Sequence, residues 1–219
     1  MSDQSQTRRD VEPVVVGWHD EISSTQDEAH RLAAHGASHG TAVAARTQAA
    51  GRGTRGRVWI SSEGGLWLSV VCRPDPGPAL DVLGVRVGLA LADFLDTLLP
   101  APPLLTLKFP NDLILRGRKV GGILAEARWQ GDRLGWVVVG VGINLHNPVP
   151  GGTEPPAARL ADAGVIATAR DLAEPVAGVV GAAARTASPL TPGELAACKA
   201  RDWRTPPPSE RFGPGRVWD

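Results

Sequence analysis

Gln48-Ala49-Ala50-Gly51-Arg52-Gly53-Thr54-Arg55-Gly56-Arg57-Val58-Trp59 decides how this 219-residue chain is read. With Arg46 just ahead of it, the stretch gathers four arginines and no carboxylate. Guanidinium forks match carboxylate and phosphate oxygens two at a time. Glycines 51, 53 and 56 permit positive φ and a close backbone approach to a ligand. The stretch therefore reads as a loop built for a small polyanion. Glycine–arginine segments that bind nucleic acid usually lie in disordered sequence. Here core-type strands flank the loop, at residues 41–47 and at 66–73, where Leu66, Leu68 and Val70 alternate. Trp59 anchors one end, so an RNA-binding role is the weaker reading.

Upstream, residues 14–18 read as a strand and Ser24-Thr25-Gln26-Asp27-Glu28 as a helix start. Thr25 is the expected cap and Glu28, three residues on, completes a capping box. Ala29, Leu32 and Ala33 supply the apolar stripe, and Gly36 the stop. Downstream, a long helix is expected over 79–99, ended by Pro100 and the Pro102-Pro103 pair, with Asp93 and Asp96 on its solvated face. Residues 104–108 form a short strand, Pro110-Asn111-Asp112 a turn, 113–115 and 119–128 a hairpin about Gly117, and 135–145 a further strand. Beyond a Pro- and Gly-rich loop after His146, helices are expected over 170–186 and 192–203, the second opened by a Thr191/Glu194 capping box. Strands and hairpins interspersed with helices, without regular alternation, predict an α+β fold: a mixed, mainly antiparallel sheet flanked by helices, packed against one face. Residues 1–13 read as a flexible leader, 14–204 as one domain, and 205–219 as a Pro/Gly-rich tail.

Lys plus Arg and Asp plus Glu number 23 each, so any anion site has to be built locally. An apolar fraction of 42% against 21% charged residues fits a sizeable core. Cys72 and Cys198 offer neither a disulfide framework nor a CxxC pair; Cys72, in an apolar run, reads as a buried, inert thiol. A reducing cytoplasm fits. There is no apolar signal segment, and the apolar run 80–99 is broken by Asp81, Arg86, Asp93 and Asp96, so no membrane partner is expected. The five histidines lack metal-ligand spacing and read as surface or loop residues. Trp129, Trp136 and Trp203 read as packing residues.

Lys108-Phe109-Pro110-Asn111-Asp112 taken alone is ordinary turn chemistry. It gains meaning beside Lys119-Val120-Gly121-Gly122-Ile123-Leu124-Ala125-Glu126 and Gly140-Val141-Gly142-Ile143-Asn144. Glycine inside a strand weakens it unless a ligand or backbone comes close. Paired glycines on neighbouring strands therefore predict a slot for a flat ligand, with Lys119 offering a point charge to it.

SSTQ at 23–26, QAAGRGTRGRVW at 48–59, KFPND at 108–112, KVGGILAE at 119–126 and GVGIN at 140–144 follow one another in the order seen in biotin–protein ligases, which the chain resembles over about residues 15–203. The resemblance implies a catalytic domain over 14–204, related to class II aminoacyl-tRNA synthetases and lipoyl ligases. It implies that biotin and MgATP give biotinyl-5′-AMP, and that biotin then passes to a lysine of an acceptor such as the biotin carboxyl carrier protein of acetyl-CoA carboxylase. Arg52 and Lys119 match the positions near the biotin carboxylate and α-phosphate. Biotin contacts are implied at Ser24, Thr25, Gln26, Gln48, Gly51, Arg52, Gly53, Thr54, Lys119, Gly122 and Gly140. Nucleotide contacts are implied at Arg55, Arg57, Trp59, Asn111 and Asp112, with Asp112 on the magnesium side.

Three departures stand out. Phe109 replaces a usual Trp, and Thr54 replaces a second loop arginine. A small β-barrel usually follows the catalytic domain, and Arg216-Val217-Trp218-Asp219 resembles its opening, cut short. With no DNA-binding region ahead of the first strand, no DNA partner is expected; an exposed sheet edge leaves room for a homodimer. The alternatives are a lipoate or octanoate ligase of the same superfamily and a biotin-binding module with weak turnover.

Overall fold

A computed structural model describes residues 15–75, 79–100 and 104–204. The expected leader, the Pro102-Pro103 stop and the expected tail lie outside them. Seven strands form one sheet: β1 (Val16–Ile22), β2 (Ala42–Gln48), β3 (Leu66–Cys72), β4 (Thr106–Lys108), β5 (Asp112–Leu115), β6 (Arg118–Gln130) and β7 (Arg133–Ile143). Their order is β1-β2-β3-β7-β6-β5-β4. β1 and β2 run parallel, joined through helix α1 (Thr25–Ala34), because parallel neighbours need a crossover. The other neighbouring pairs are antiparallel. Helices α2 (Leu83–Asp96), α3 (Ala169–Ala183) and α4 (Pro192–Arg201) complete the expected α+β fold.

Helices on one face only is an expectation the structure corrects. Leu66, Leu68, Val70 and Cys72 of β3 share one core with Leu83, Val87 and Leu91 of α2 and Leu172, Val176 and Val180 of α3. On the opposite face Val71 packs with Val43, Val138 and the Ala29–Ala33 stripe of α1. A strand covered on both sides reads as a continuous apolar run. All seven residues of β3 are accordingly buried, and its alternation described one of two covered faces. Cys72 is among them, its thiol pushed up by burial to about 12.

Local chemistry departs from expectation where a site or a neighbour competes for it. Ser24, not Thr25, is the N-cap of α1, and neither side chain caps it; Glu28 turns to Arg31 at 2.7 Å. Gly36 does follow the helix end, at φ 90°. α2 is shorter than expected, and Asp96 leaves the solvated face. Its Oδ1 accepts from the Leu105 N–H at 2.7 Å, and the carboxylate pairs with Arg201, because α4 packs across α2. The Thr191/Glu194 box at α4 forms as expected, and Glu194 also pairs with the buried Arg86 at 2.6 Å. No helix among the described residues is long and apolar enough to cross a membrane.

Candidate active site

The sheet face that carries α1 also carries a cleft of about 850 Å³, within the usual range for small-molecule sites. Every expected site residue lines it except Gly51 and Gly53. Cross-strand register builds its floor. Trp67 of β3, Gly142 of β7, Gly122 of β6 and Asp112 of β5 are successive partners in one row. Ser69, Gly140 and Leu124 form the next row.

The glycine slot exists, and Trp59 sits in it. A Cβ at Gly142 would lie 2.6 Å from the indole, and one at Gly122 3.0 Å from it. The Trp59 ring meets the edge of Trp67 at 6.4 Å, and Lys119 Nζ lies 5.2 Å from its centre, within cation–π range. Its Nε1 is buried without a hydrogen-bond partner among the described residues.

At one end of the cleft the walls are neutral and polar. Gln48 Oε1 accepts from the Thr25 N–H at 2.8 Å, and Gln48 Nε2 donates to Ser61 Oγ at 2.8 Å. Thr25 Oγ1 lies 2.9 Å from Ser69 Oγ, which donates to Gln26 Oε1 at 2.9 Å. Ser24 is 1% exposed, and its hydroxyl has no partner among the described residues. An N-cap serine normally spends that hydroxyl on a backbone N–H. Here it is left for whatever fills the cleft.

The other end is charged. Lys119 Nζ donates to Asp112 Oδ1 at 2.7 Å, with both side chains largely buried. A bulge makes that pairing possible. Ile114 faces Lys119 while Leu113 faces Gly121, so Val120 is an extra residue in β6. Without it, Lys119 and Gly122, three residues apart, would point to opposite faces. Asn111 is fixed by its Nδ2 donating to Ile123 O at 3.3 Å.

The arginine loop closes as a small hairpin, with Trp59 N–H donating to Gly51 O and Gly53 N–H to Arg57 O. Of its glycines only Gly56 takes the expected positive φ. Positive φ falls on Gly56 and on Arg55, at 72° and 60°, not on Gly51 or Gly53. Gly51 is required because a Cβ there would meet Trp59 O at 2.4 Å, a contact of the chain with itself. Arg52 pairs with Asp27 at 2.7 Å and Glu126 at 3.3 Å. Arg57 turns back on Thr54, Nη2 donating to its Oγ1 at 2.9 Å.

Sequence reasoning assigned no role to Ser69, Glu126 or His30. His30 corrects the surface reading of the histidines: it is 9% exposed, with Nε2 3.1 Å from Glu126 Oε2 and Nδ1 accepting from Trp136 Nε1 at 3.0 Å. Burial lowers its pKa against the raising effect of the Glu126 hydrogen bond, so the ring is neutral and Nε2 carries the proton. Burial pushes the Glu126 carboxyl up, but the Gln26 hydrogen bond, the Arg52 charge and His30 hold it below the usual carboxylate range. Trp136 thus has a partner, whereas Trp129 is 58% exposed and does not pack. The exposed position of Trp129, at the end of β6, gave no sequence signal.

A sequence profile of the Biotin/lipoate A/B protein ligase family matches residues 18–144. The chain is 42% identical over 134 residues to the biotin–[acetyl-CoA-carboxylase] ligase of Paracoccus denitrificans, covering 60% of this chain and 55% of that protein. It is similar in structure to the biotin protein ligase of Aquifex aeolicus in complex with biotin and ATP, at TM-score 0.64 and 31% identity over 77% of this chain and 69% of that one. It is also similar to the biotin protein ligase of Leishmania major in complex with biotinyl-5-AMP, at TM-score 0.70 and 27% identity over 94% of this chain and 88% of that one. The chain spans about half the length of the curated relatives it matches.

Proposed function

Because the chain belongs to the Biotin/lipoate A/B protein ligase family, we propose that it is an ATP-dependent biotin–protein ligase that forms biotinyl-5′-AMP and passes biotin to a lysine of a biotin carboxyl carrier domain in the cytoplasm. The observation that carries the substrate is the unpartnered, buried Ser24 hydroxyl at the neutral end of a cleft whose other end is cationic. Biotin has the same polarity: an uncharged ureido ring that donates and accepts, and a tail ending in a carboxylate. Ser24, Thr25 and Gln26 suit the ring, and Gln48 holds Thr25 in place. Lys119 and Arg52 suit the carboxylate.

In the first step a biotin carboxylate oxygen attacks the α-phosphorus of ATP. The new P–O bond forms as the bond to pyrophosphate breaks. Two anions must meet, so fixed positive charge from Lys119 and Arg52 lowers the barrier, and no protein nucleophile is needed. Arg55, Arg57, Trp59 and Asn111 take the nucleotide side. In the second step the acceptor's lysine amine attacks the acyl carbon, AMP leaves with the bonding pair, and the amine's proton goes to solvent. Among the described residues there is no cluster of His, Cys, Asp or Glu fit for a metal cage. A magnesium ion carried in on the ATP phosphates would find a protein oxygen at Asp112, beside Lys119, and would supply positive charge to those phosphates.

Exchange of labelled pyrophosphate into ATP tests this reading, run with biotin, with lipoate and with neither. Biotin-dependent exchange is expected. Exchange with lipoate instead reassigns the substrate, and none at all, with biotin bound by calorimetry, leaves a binding module.

A further inference from the structure

Resting on the biotin-ligase reading, we infer that Glu126 is a positioning residue: it fixes the sense of the Gln26 amide and brackets Arg52, although it does not itself line the cleft. Three donors from separate places converge on its Oε2: Gln26 Nε2 at 3.2 Å, His30 Nε2 at 3.1 Å and Arg52 Nη2 at 3.3 Å. Gln26 Nε2 donates also to Val138 O at 3.1 Å, so both protons of that amide are engaged below the cleft. Its oxygen is thereby turned to Ser69 Oγ and toward the space that the missing side chain of Gly140 leaves, 2.6 Å from where a Cβ would stand. An amide is nearly symmetric in shape but not in hydrogen bonding. A carboxylate accepts only, as does the Val138 carbonyl, so Glu126 and that carbonyl together dictate which way Gln26 points.

Arg52 is held in the same manner. Nη1 reaches Asp27 on α1 and Nη2 reaches Glu126 on β6, so the guanidinium ties the loop to both elements. His30, locked as a donor by the Trp136 N–H on its other nitrogen, steadies the carboxylate from the third side.

Glu126→Gln keeps the size and removes the acceptor-only character. Its own amide can then oppose the Gln26 amide, and half of the Arg52 bracket is lost. In biotin-dependent exchange, KM for biotin is expected to rise about tenfold, the pattern of lost ground-state positioning, while kcat falls less, by several-fold, as Arg52 loosens. Glu126→Asp should fall between. The second readout needs no activity: trypsin cleavage after Arg55 and Arg57 in the ligand-free protein should quicken several-fold. Arg52→Gln should quicken it as much, and the double variant Arg52→Gln/Glu126→Gln no further. A lowered melting temperature with unchanged KM and unchanged cleavage would reduce Glu126 to a structural residue and overturn the inference. If Glu126→Gln loses its cooperative melt, Asp27→Asn takes its place for the loop; unchanged cleavage there also overturns it. Wild-type protein without biotin-dependent exchange sinks the ligase reading alone, and the cleavage series still decides the bracket.

Discussion

Trp59 occupies the space over Gly142, where a Cβ would stand 2.6 Å from the indole Cε2 and 2.7 Å from Nε1. Gly142 sits mid-strand between β3 and β6 and has no freedom to retreat, so the ring must yield. Gly142→Ala should therefore expel the indole from the slot and lower kcat/KM by more than tenfold, since placement within an ångström governs such sites. At Gly122 the nearest indole atom is at 3.0 Å, and Gly122→Ala should cost much less. Exchange kinetics give the ranking, and tryptophan emission measured against Trp59→Phe reports the ring. If Gly122→Ala proves the more damaging, Trp59 is not what the glycines accommodate.

On the proposed reading, Lys119 serves two purposes that a double variant separates. Lys119→Met should lower kcat by roughly 10²–10³, the usual effect of losing one group that stabilises developing negative charge. It should also leave Asp112, 8% exposed, without its partner and destabilise the fold by on the order of 3 kcal/mol. In Lys119→Met/Asp112→Asn the buried charge is gone, so the melting temperature should recover while turnover stays low. Recovery of turnover along with stability would show that Lys119 acts only on the fold.

Thr54 stands where the biotin–protein ligase pattern places an arginine, and it draws Arg57 back onto the loop. On the proposed reading, the adenylate side thus has one guanidinium fewer and another engaged elsewhere. Biotinyl-5′-AMP trapped without acceptor should leave the wild-type protein about tenfold faster than a Thr54→Arg variant, the worth of one charge-assisted hydrogen bond. Equal half-lives would sink the idea.

What the chain's own order reveals, and what it hides, follows from the range of each interaction. Strands, hairpins and the four arginines are local, and the ordered motifs marked most of the lining residues, though not Leu68, Ser69 or those between Pro150 and Ala157. The bulge at Val120 carried no signal, because it is set by register with β5 rather than by composition. Ser24 and Thr25 looked like capping residues, and local rules cannot see that the hydroxyls are claimed by Ser69 and by the cleft, more than forty positions away in the first case. Glu126 stood in plain view at the end of KVGGILAE, yet its meaning depends on His30 and Arg52, 96 and 74 positions away. The second covered face of the sheet, under α1, was hidden by the same logic, since β3 reads apolar whichever side is covered.

His39 sets a pH limit on the fold. Its Nδ1 accepts the Arg73 N–H at 3.0 Å, and Nε2 donates to Gly181 O at 2.9 Å, so the neutral ring ties β3 to α3 with both nitrogens filled. Burial, with the Arg185 charge, lowers its pKa below the ordinary 6.5 despite the hydrogen bond to Gly181. The unfolded chain therefore takes up the proton first. The stabilisation is complete above pH 6.5 and is lost as pH falls from there toward the folded-state value. His30, lowered chiefly by burial, adds in the same direction. Glu194, held down to about 2 mainly by its hydrogen bond with Arg86, keeps its contribution until pH drops below 4.5. Melting temperatures should accordingly begin to fall below pH 6.5, before the carboxylates titrate. His39→Asn, whose amide can accept from Arg73 but takes up no proton, should start from a lower melting temperature and decline less steeply between pH 6.5 and 5. Parallel curves for the two proteins would remove His39 as the source of that decline.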